Sequence, residues 1–327
     1  KLIFIMFIMH LASCSFSKFS ESNFDLTEKE FKHMDWKPKV SSSNLIVAIH
    51  GYNDYSNAFK MPADFLLEHN IETIAFDLRG FGKRQDKGNW FSLDVHLDDI
   101  KFNIEKIKKE NPRKKIYLLG ESMGGAIVTS LANRNKNLPI EGVILVAPAI
   151  WNFTEKNFFK KTALKIFSMI FPNMKVSGKG IVEVQASDNT EMLEKLSKDK
   201  YFIKEPKLKS LNGIIDLMDE SYIDAKEFFQ NPSYDTIVLI PLLDEIVPRK
   251  PIIEILEKHT KTNIKNFALE TFVYDKSYHM ILRDVNGNTV TSDIKDWIIK
   301  KNSLRQKLPY KEIVKKLKNT KFYHKLD

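Results

Sequence analysis

One cysteine stands among 327 residues, so no intrachain disulfide can staple this fold. No apolar run reaches the length a helix needs to cross a bilayer. No internal repeat is visible, which excludes a solenoid or propeller built from copied units. Most of the chain also lacks a charge imbalance. The formal net charge is +9, yet residues 300–327 hold ten Lys or Arg and two Asp or Glu, so this tail alone carries +8. The body is nearly neutral, which argues against nucleic acid as the main partner. What is present is an ordinary globule, with 43% apolar and 28% charged residues. It is long enough for one large α/β domain with an insertion, or for two smaller domains.

The lone cysteine is informative by its position. Cys14 follows the apolar run Leu2-Ile3-Phe4-Ile5-Met6-Phe7-Ile8-Met9, with Lys1 ahead of it. A basic residue, a short apolar stretch and small residues make a secretory signal. Leu11-Ala12-Ser13-Cys14 resembles the bacterial lipobox, where signal peptidase cuts before a Cys that carries a diacylglyceryl group. Only a thiol accepts that lipid as a thioether. The resemblance implies a signal peptide over 1–13, a lipidated Cys14 and a tether over 14–30, whose residues 15–23 are polar and Ser-rich. The protein is then an exported, membrane-anchored lipoprotein facing the periplasm or the cell surface. A plain signal peptide, or a buried N-terminal strand, would leave Cys14 an accident.

Beyond the tether, strand-like apolar runs alternate with helix-like periodic stretches, which implies βαβ units and a parallel sheet. Strands are expected at 45–49, 73–76, 115–119, 142–146, 236–240 and 268–274, with an antiparallel edge strand within 31–39. Helices are expected at 94–110, 124–135, 250–259 and 292–300. The interval 149–233 breaks this rhythm. It is helical, rich in aromatics and too long for a simple crossover, so it reads as an inserted cap. Most of its aromatics are expected to pack the cap to itself and to the body. A minority, such as Trp151 and Phe153, are candidates for a substrate pocket. The body then comprises 31–148 and 234–301, with a basic tail over 302–327.

Gly120-Glu121-Ser122-Met123-Gly124-Gly125 follows the strand at 115–119 and opens a helix. This is the setting of a nucleophile elbow, where Ser sits on a sharp strand-to-helix turn and glycines two before and two after relieve the crowding. A serine needs a base and an orienting acid, in the order Ser, Asp, His. Of the eight histidines, only His279 sits on a loop just past a late strand, in Ser277-Tyr278-His279-Met280. Asp244, after the strand at 236–240, is the favoured acid; Glu245 beside it and Asp275 near the His are its rivals. Two backbone donors must hold an oxyanion. The Met123 N–H is one candidate. The Tyr52 N–H, in His50-Gly51-Tyr52-Asn53, is the other, with His50 bracing its loop. No metal or cofactor is required by this chemistry.

These pieces resemble the monoacylglycerol lipase and lysophospholipase branch of the α/β-hydrolase superfamily, of the serine aminopeptidase S33 type. The matching residues are His50-Gly51, Asp77-Leu78-Arg79-Gly80-Phe81-Gly82, Gly120 to Gly125, Asp244 with Val247-Pro248, and Tyr278-His279-Met280. The resemblance implies an α/β-hydrolase fold, a mostly parallel central sheet with helices on both faces and a helical cap inserted after the sixth strand. It also implies that Asp77 and Arg79 are structural. Two positions depart from the family pattern: Pro241 stands where relatives place Gly before the acid, and Glu121 where many place His. The expected activity is hydrolysis of carboxylic esters, and the tether, the aromatic cap and the resemblance together imply a lipid-like small-molecule substrate such as a monoacylglycerol or lysophospholipid. An aminopeptidase on the same fold is the competing enzyme reading and would gather acidic residues by the cap to hold an amine. A non-catalytic lipoprotein binding module is the reading from another class. The basic tail reads as a solvated helix packed by Ile313, Val314 and Leu317, against docking on an anionic surface.

Overall fold

The computed structural model describes residues 33–177, 184–259, 268–299 and 310–319. The expected signal peptide, Cys14 and the tether lie outside them.

Seven strands form one sheet: β1 (His33–Trp36), β2 (Asn44–Ile49), β3 (Glu72–Phe76), β4 (Lys115–Glu121), β5 (Gly142–Val146), β6 (Thr236–Pro241) and β7 (Leu269–Tyr274). Their spatial order is β1-β3-β2-β4-β5-β6-β7. Only β1 runs antiparallel, pairing His33 with Phe76 and Trp36 with Thr73. Strands β2 to β7 are buried on both faces, which is why they read as continuous apolar runs rather than alternating ones. Edge strand β1 instead alternates exposed and half-buried residues.

Helices α1 (Lys60–Glu68), α2 (Leu93–Glu110), α3 (Met123–Arg134), α4 (Phe153–Ile170), α5 (Thr190–Lys198), α6 (Leu208–Phe228), α7 (Arg249–His259), α8 (Gly287–Ile298) and α9 (Tyr310–Asn319) complete the described chain. Leu45, Val47 and Ile49 face a core closed by α2, α3, α6, α7 and α9. Ile46 and Ala48 face the opposite core, closed by α1 and α8. In α9 the buried residues are Ile313, Val314 and Leu317, which add to the first core.

Several expectations need correction. Helix α1 was not anticipated; its Pro62 falls in the first turn, where a missing N–H costs nothing. Helix α8 begins at Gly287 rather than 292, because Val290, Thr291 and Thr289 mask a helix start behind β-branched residues. The insertion leaves after β5, the fifth described strand, not a sixth. Of the residues expected in the cap, α6 belongs by packing to the body. Its Leu217, Ala225 and Phe228 are in the main core, and Ser221 and Asp224 meet Ser130 and Asn133 of α3 at 3.1 and 3.2 Å. Most of the cap aromatics pack as expected, Trp151, Phe153, Tyr201 and Phe202 being half-buried, with four exceptions. Phe228 and Phe229 are fully buried, but Phe158, Phe159, Phe167 and Phe171 are all more than half exposed, beside exposed Ile166, Met169 and Ile170.

Candidate active site

Because β2 has β3 on one side and β4 on the other, the chain reverses its winding there, and a crevice opens at the strand ends. Register sets the ends level: Ile49 pairs with Gly120, Glu121 with Val146, and Pro241 with Tyr274. The loops after β2, β4, β6 and β7 therefore converge on one edge.

Ser122 occupies the turn between β4 and α3, with φ 55° and ψ −118°. That left-handed conformation is costly for a side chain with a Cβ. The turn is possible only because its flanks are bare. A Cβ on Gly120 would lie 2.3 Å from the Gly124 carbonyl oxygen, and one on Gly124 would lie 2.1 Å from the Ile49 oxygen. The strand before and the helix after are locked by Ser122 N–H donating to Val146 O (3.0 Å) and Ala126 N–H donating to Ser122 O (3.1 Å). The serine hydroxyl is thus held at a helix N-terminus, where negative charge is favoured.

His279 lies past the end of β7, and its Nε2 is 2.8 Å from Ser122 Oγ. Its Nδ1 is 2.8 Å from Asp244 Oδ2. With the proton on Nδ1 donated to the carboxylate, Nε2 is left to accept the serine hydroxyl. Asp244 is itself fixed, because its Oδ1 accepts the N–H groups of Ile246 (2.8 Å) and Val247 (2.9 Å). Burial pulls the His279 imidazolium down, but the Asp244 charge, the Asp244 hydrogen bond and the Glu121 charge outweigh it. The net shift is upward from the ordinary histidine value.

The rival acids are elsewhere. Glu245 accepts the Gln185 N–H at 3.0 Å, tying the β6 loop to the insertion. Asp275 is surface-exposed and pairs with Lys316 of α9 at 2.6 Å. Pro241, where the family pattern has Gly, ends β6 within regular pairing to Tyr274 and does not divert the Asp244 loop.

The Gly51-Tyr52 loop passes close to the serine: a Cβ on Gly51 would be 3.1 Å from Ser122 Cβ. His50 is wholly buried and spans two loops, its Nε2 accepting Leu78 N–H (3.0 Å) while Nδ1 contacts Gly51 O (2.8 Å). Burial lowers its affinity for a second proton, so it stays a neutral brace. Among the described residues neither the Tyr52 nor the Met123 backbone N–H is engaged by an acceptor, which leaves both open to an oxyanion. Asp77 binds the Ser56 and Lys83 N–H groups at 2.9 and 2.8 Å, and Arg79 is ion-paired with Asp99 in the interior. Both shape the floor. Trp151 and Phe153 stack edge-to-face at 5.2 Å. Trp151 lines a small cavity with Tyr222 and Pro248, whose lining includes none of Ser122, Asp244 and His279.

One set of site residues was not singled out from the sequence. Arg283 is buried four residues after His279, with Nη1 2.8 Å from Asp54 and Nη2 3.5 Å from Glu121. It joins the loop after β2, the elbow and the histidine loop. Its neighbour Asp284 accepts the Ser187 hydroxyl (2.6 Å) and the Tyr278 N–H (2.7 Å), and Met280 N–H donates to Ala186 O (2.9 Å). The insertion thereby clamps the loop that carries the histidine. The available signal was a charged pair, Arg283-Asp284, immediately after the apolar Met280-Ile281-Leu282.

Comparison with known proteins fits this geometry. A family model described as serine aminopeptidase, S33, matches residues 41–286. Phospholipase YtpA of Bacillus subtilis (strain 168) is 23% identical over 189 residues, covering 58% of this chain and 72% of that protein. Human monoglyceride lipase is 28% identical over 142 residues, covering 42% of this chain. That match spans 46% of the human protein, less than half its length. Among solved structures, the monoacylglycerol lipase of Paleococcus ferrophilus superposes with a TM-score of 0.66 at 21% identity, over 83% of this chain and 99% of the other. A soluble variant of the Saccharomyces cerevisiae monoglyceride lipase, in complex with a substrate analog, gives 0.67 at 19% identity, over 84% and 92%. At such identities the superpositions establish a shared fold.

Proposed function

Because the chain belongs to the serine aminopeptidase S33 family of α/β-hydrolases, we propose that it is a serine hydrolase that cleaves carboxylic esters, lipid-derived ones such as monoacylglycerols or lysophospholipids. The observation that carries the reading is the unbroken line Asp244, His279, Ser122, with 2.8 Å at each contact.

In this mechanism His279 Nε2 takes the Ser122 proton as Oγ attacks the ester carbonyl carbon. The carbonyl oxygen gains the negative charge and is held by the Tyr52 and Met123 N–H groups. Collapse of the adduct breaks the ester C–O bond, and the leaving alkoxide takes the proton from His279. Water then attacks the acyl-enzyme with His279 as base, releasing the acid and restoring Ser122. The Asp244 carboxylate keeps the imidazole in the required tautomer and offsets its transient positive charge.

The lipid assignment draws on the relatives named phospholipase and monoglyceride lipase. The peptidase alternative is less well served. A substrate ammonium needs spare carboxylates, and four of the insertion's acids, Glu191, Glu194, Asp216 and Asp219, are already paired with Lys195, Lys198 and Lys161. Attachment to a membrane through Cys14 remains part of the proposal, supported by the Leu11-Ala12-Ser13-Cys14 pattern.

The test pairs a fluorophosphonate probe with a hydrolysis panel of p-nitrophenyl esters of rising chain length, a monoacylglycerol and a lysophospholipid. Labelling of the wild type, its loss in Ser122→Ala and turnover of esters are expected. An unlabelled wild type, or labelling that survives Ser122→Ala, defeats the reading.

A further inference from the structure

A cavity of about 740 Å³ opens beside the oxyanion loop, within the range of small-molecule sites. Five lysines line it: Lys87 from the segment after β3, Lys175 from the segment after α4, and Lys200, Lys204 and Lys207 from the segment between α5 and α6. Among the described residues two acids, Asp199 and Glu205, share the lining. Asp199 is already occupied, accepting the Tyr55 hydroxyl at 2.6 Å and the Tyr201 N–H at 2.7 Å.

None of the five lysines is ion-paired with a carboxylate among the described residues. Lys87 donates to the Lys200 carbonyl (2.5 Å), Lys207 donates to Asn89 Oδ1 (3.2 Å), and Lys200 lies 5.0 Å from the centre of the Tyr201 ring. These are neutral partners. Crowding is felt at Lys87, which is held below the ordinary lysine value by burial and, against the pull of Asp199, by the Lys204 charge. Some lysines elsewhere do pair with acids, as Lys60 does with Asp64, Lys161 with Asp216 and Asp219, and Lys195 with Glu191. What sets the cavity apart is five lysines against two acids in one lining, in a body whose charge is nearly balanced outside residues 300–327.

The cavity wall is also bonded to the loop after β2. Its lining residue Ser210 accepts the Tyr52 hydroxyl at 2.9 Å, and the N–H of its lining residue Ile203 donates to Asn53 O at 2.9 Å. Tyr52 and Asn53 continue the loop that approaches Ser122 at Gly51. A ligand in the cavity thus touches walls that are bonded to the oxyanion loop.

We propose that this lysine-lined cavity binds the phosphate of a phosphorylated ester, so that an acylglycerol phosphate is preferred to the neutral acylglycerol of the same chain length. Ammonium groups on flexible stems suit a phosphate approached from several sides, and a dianion offsets the repulsion among five lysines that two carboxylates balance only in part. The assignment rests on the ester-hydrolase reading of Ser122.

The test uses the full chain and hexanoyl substrates that stay monomeric: 1-hexanoylglycerol 3-phosphate, 1-hexanoylglycerol and 1-hexanoylglycero-3-phosphocholine. The kcat/KM for the phosphate monoester is expected to exceed that for hexanoylglycerol by tenfold or more. The gain should reside in KM and shrink as salt rises from 0.05 to 0.5 M. The zwitterionic phosphocholine ester is expected to fall between them. The double variant Lys204→Glu/Lys207→Glu should cut the ratio of the first two values at least tenfold, while Lys204→Arg/Lys207→Arg retains it. Fluorophosphonate labelling of each variant reports that Ser122 is intact. Equal kcat/KM for the two esters, or a ratio unmoved by charge reversal, overturns the phosphate site and leaves ester hydrolysis standing. Inhibition by inorganic phosphate without any preference between the esters also overturns it, as does a preference seen only with anionic vesicles present. Absence of both turnover and labelling instead removes the ester-hydrolase reading itself.

Discussion

The Arg283 guanidinium lies 3.5 Å from the Glu121 carboxylate, and both side chains are almost wholly shielded from water. Glu121 is the residue immediately before Ser122, and Arg283 is on the loop that carries His279. The pair therefore links the nucleophile's turn to the base's loop, with Asp54 as a second anchor at 2.8 Å. Burial pushes the Glu121 carboxyl above the usual carboxylate range, with Arg283 opposing, and Glu121 Oε1 has no hydrogen-bond partner among the described residues.

This arrangement has a pH signature. In the proposed mechanism the base is neutral His279, whose value lies above its ordinary 6.5, so the acid limb of kcat/KM is expected to have its midpoint above pH 6.5. The Glu121 charge contributes to that rise. Glu121→Gln removes it, so the midpoint should move to lower pH and activity should survive further into acid. A profile for p-nitrophenyl butyrate that keeps its midpoint, or moves it upward, contradicts the coupling. Arg283→Met should cost stability instead, by about 3–5 kcal/mol in urea unfolding, because two buried carboxylates lose their cation.

Asp244 and Asp275 separate cleanly by substitution. Asp244→Asn keeps the shape but presents an amide to His279 Nδ1, which favours the wrong tautomer, and kcat should fall by about 10³–10⁴-fold. Asp275→Asn breaks only an exposed pair with Lys316 and should change kcat little and stability by less than about 1 kcal/mol. A large loss of turnover in the second variant would reassign the acid.

Much of this site is legible in the sequence because it is local. The elbow is contiguous, and the loop after a late strand leaves His279 with few competitors. Choosing Asp244 over Glu245 is a different matter, since adjacent loop residues point in different directions and no pattern states which. The Arg283 contacts join three distant segments through buried charge, and no periodicity encodes that. Helix α6 was placed in the cap for a similar reason. Its amphipathic spacing says that one face is covered, but not that α3 covers it.

Backbone strain at Ser122 has a measurable size. Ser122→Ala and Ser122→Gly should both abolish turnover. At φ 55°, however, glycine carries no Cβ penalty, so Ser122→Gly should be the more stable of the two by about 1–2 kcal/mol in urea unfolding. Equal stability would mean that the turn relaxes when the hydroxyl is lost.

The membrane address is tested at Cys14. Cys14→Ser in the full chain should shift the protein from the membrane to the soluble fraction, because serine cannot form the thioether. Unchanged fractionation contradicts lipidation.

The burial of α6 against α3 sets where this molecule can be cut and rejoined. A chimera that exchanges everything from 149 to 233 with a relative would tear away Leu217, Ala225 and Phe228, together with the Ser221 and Asp224 contacts, and expose the back of the nucleophile's own helix. A graft spliced before Leu208 leaves that support in place and replaces only the outer segments. Selectivity can then be exchanged as a module, while the helix bracing Ser122 passes unaltered from parent to hybrid.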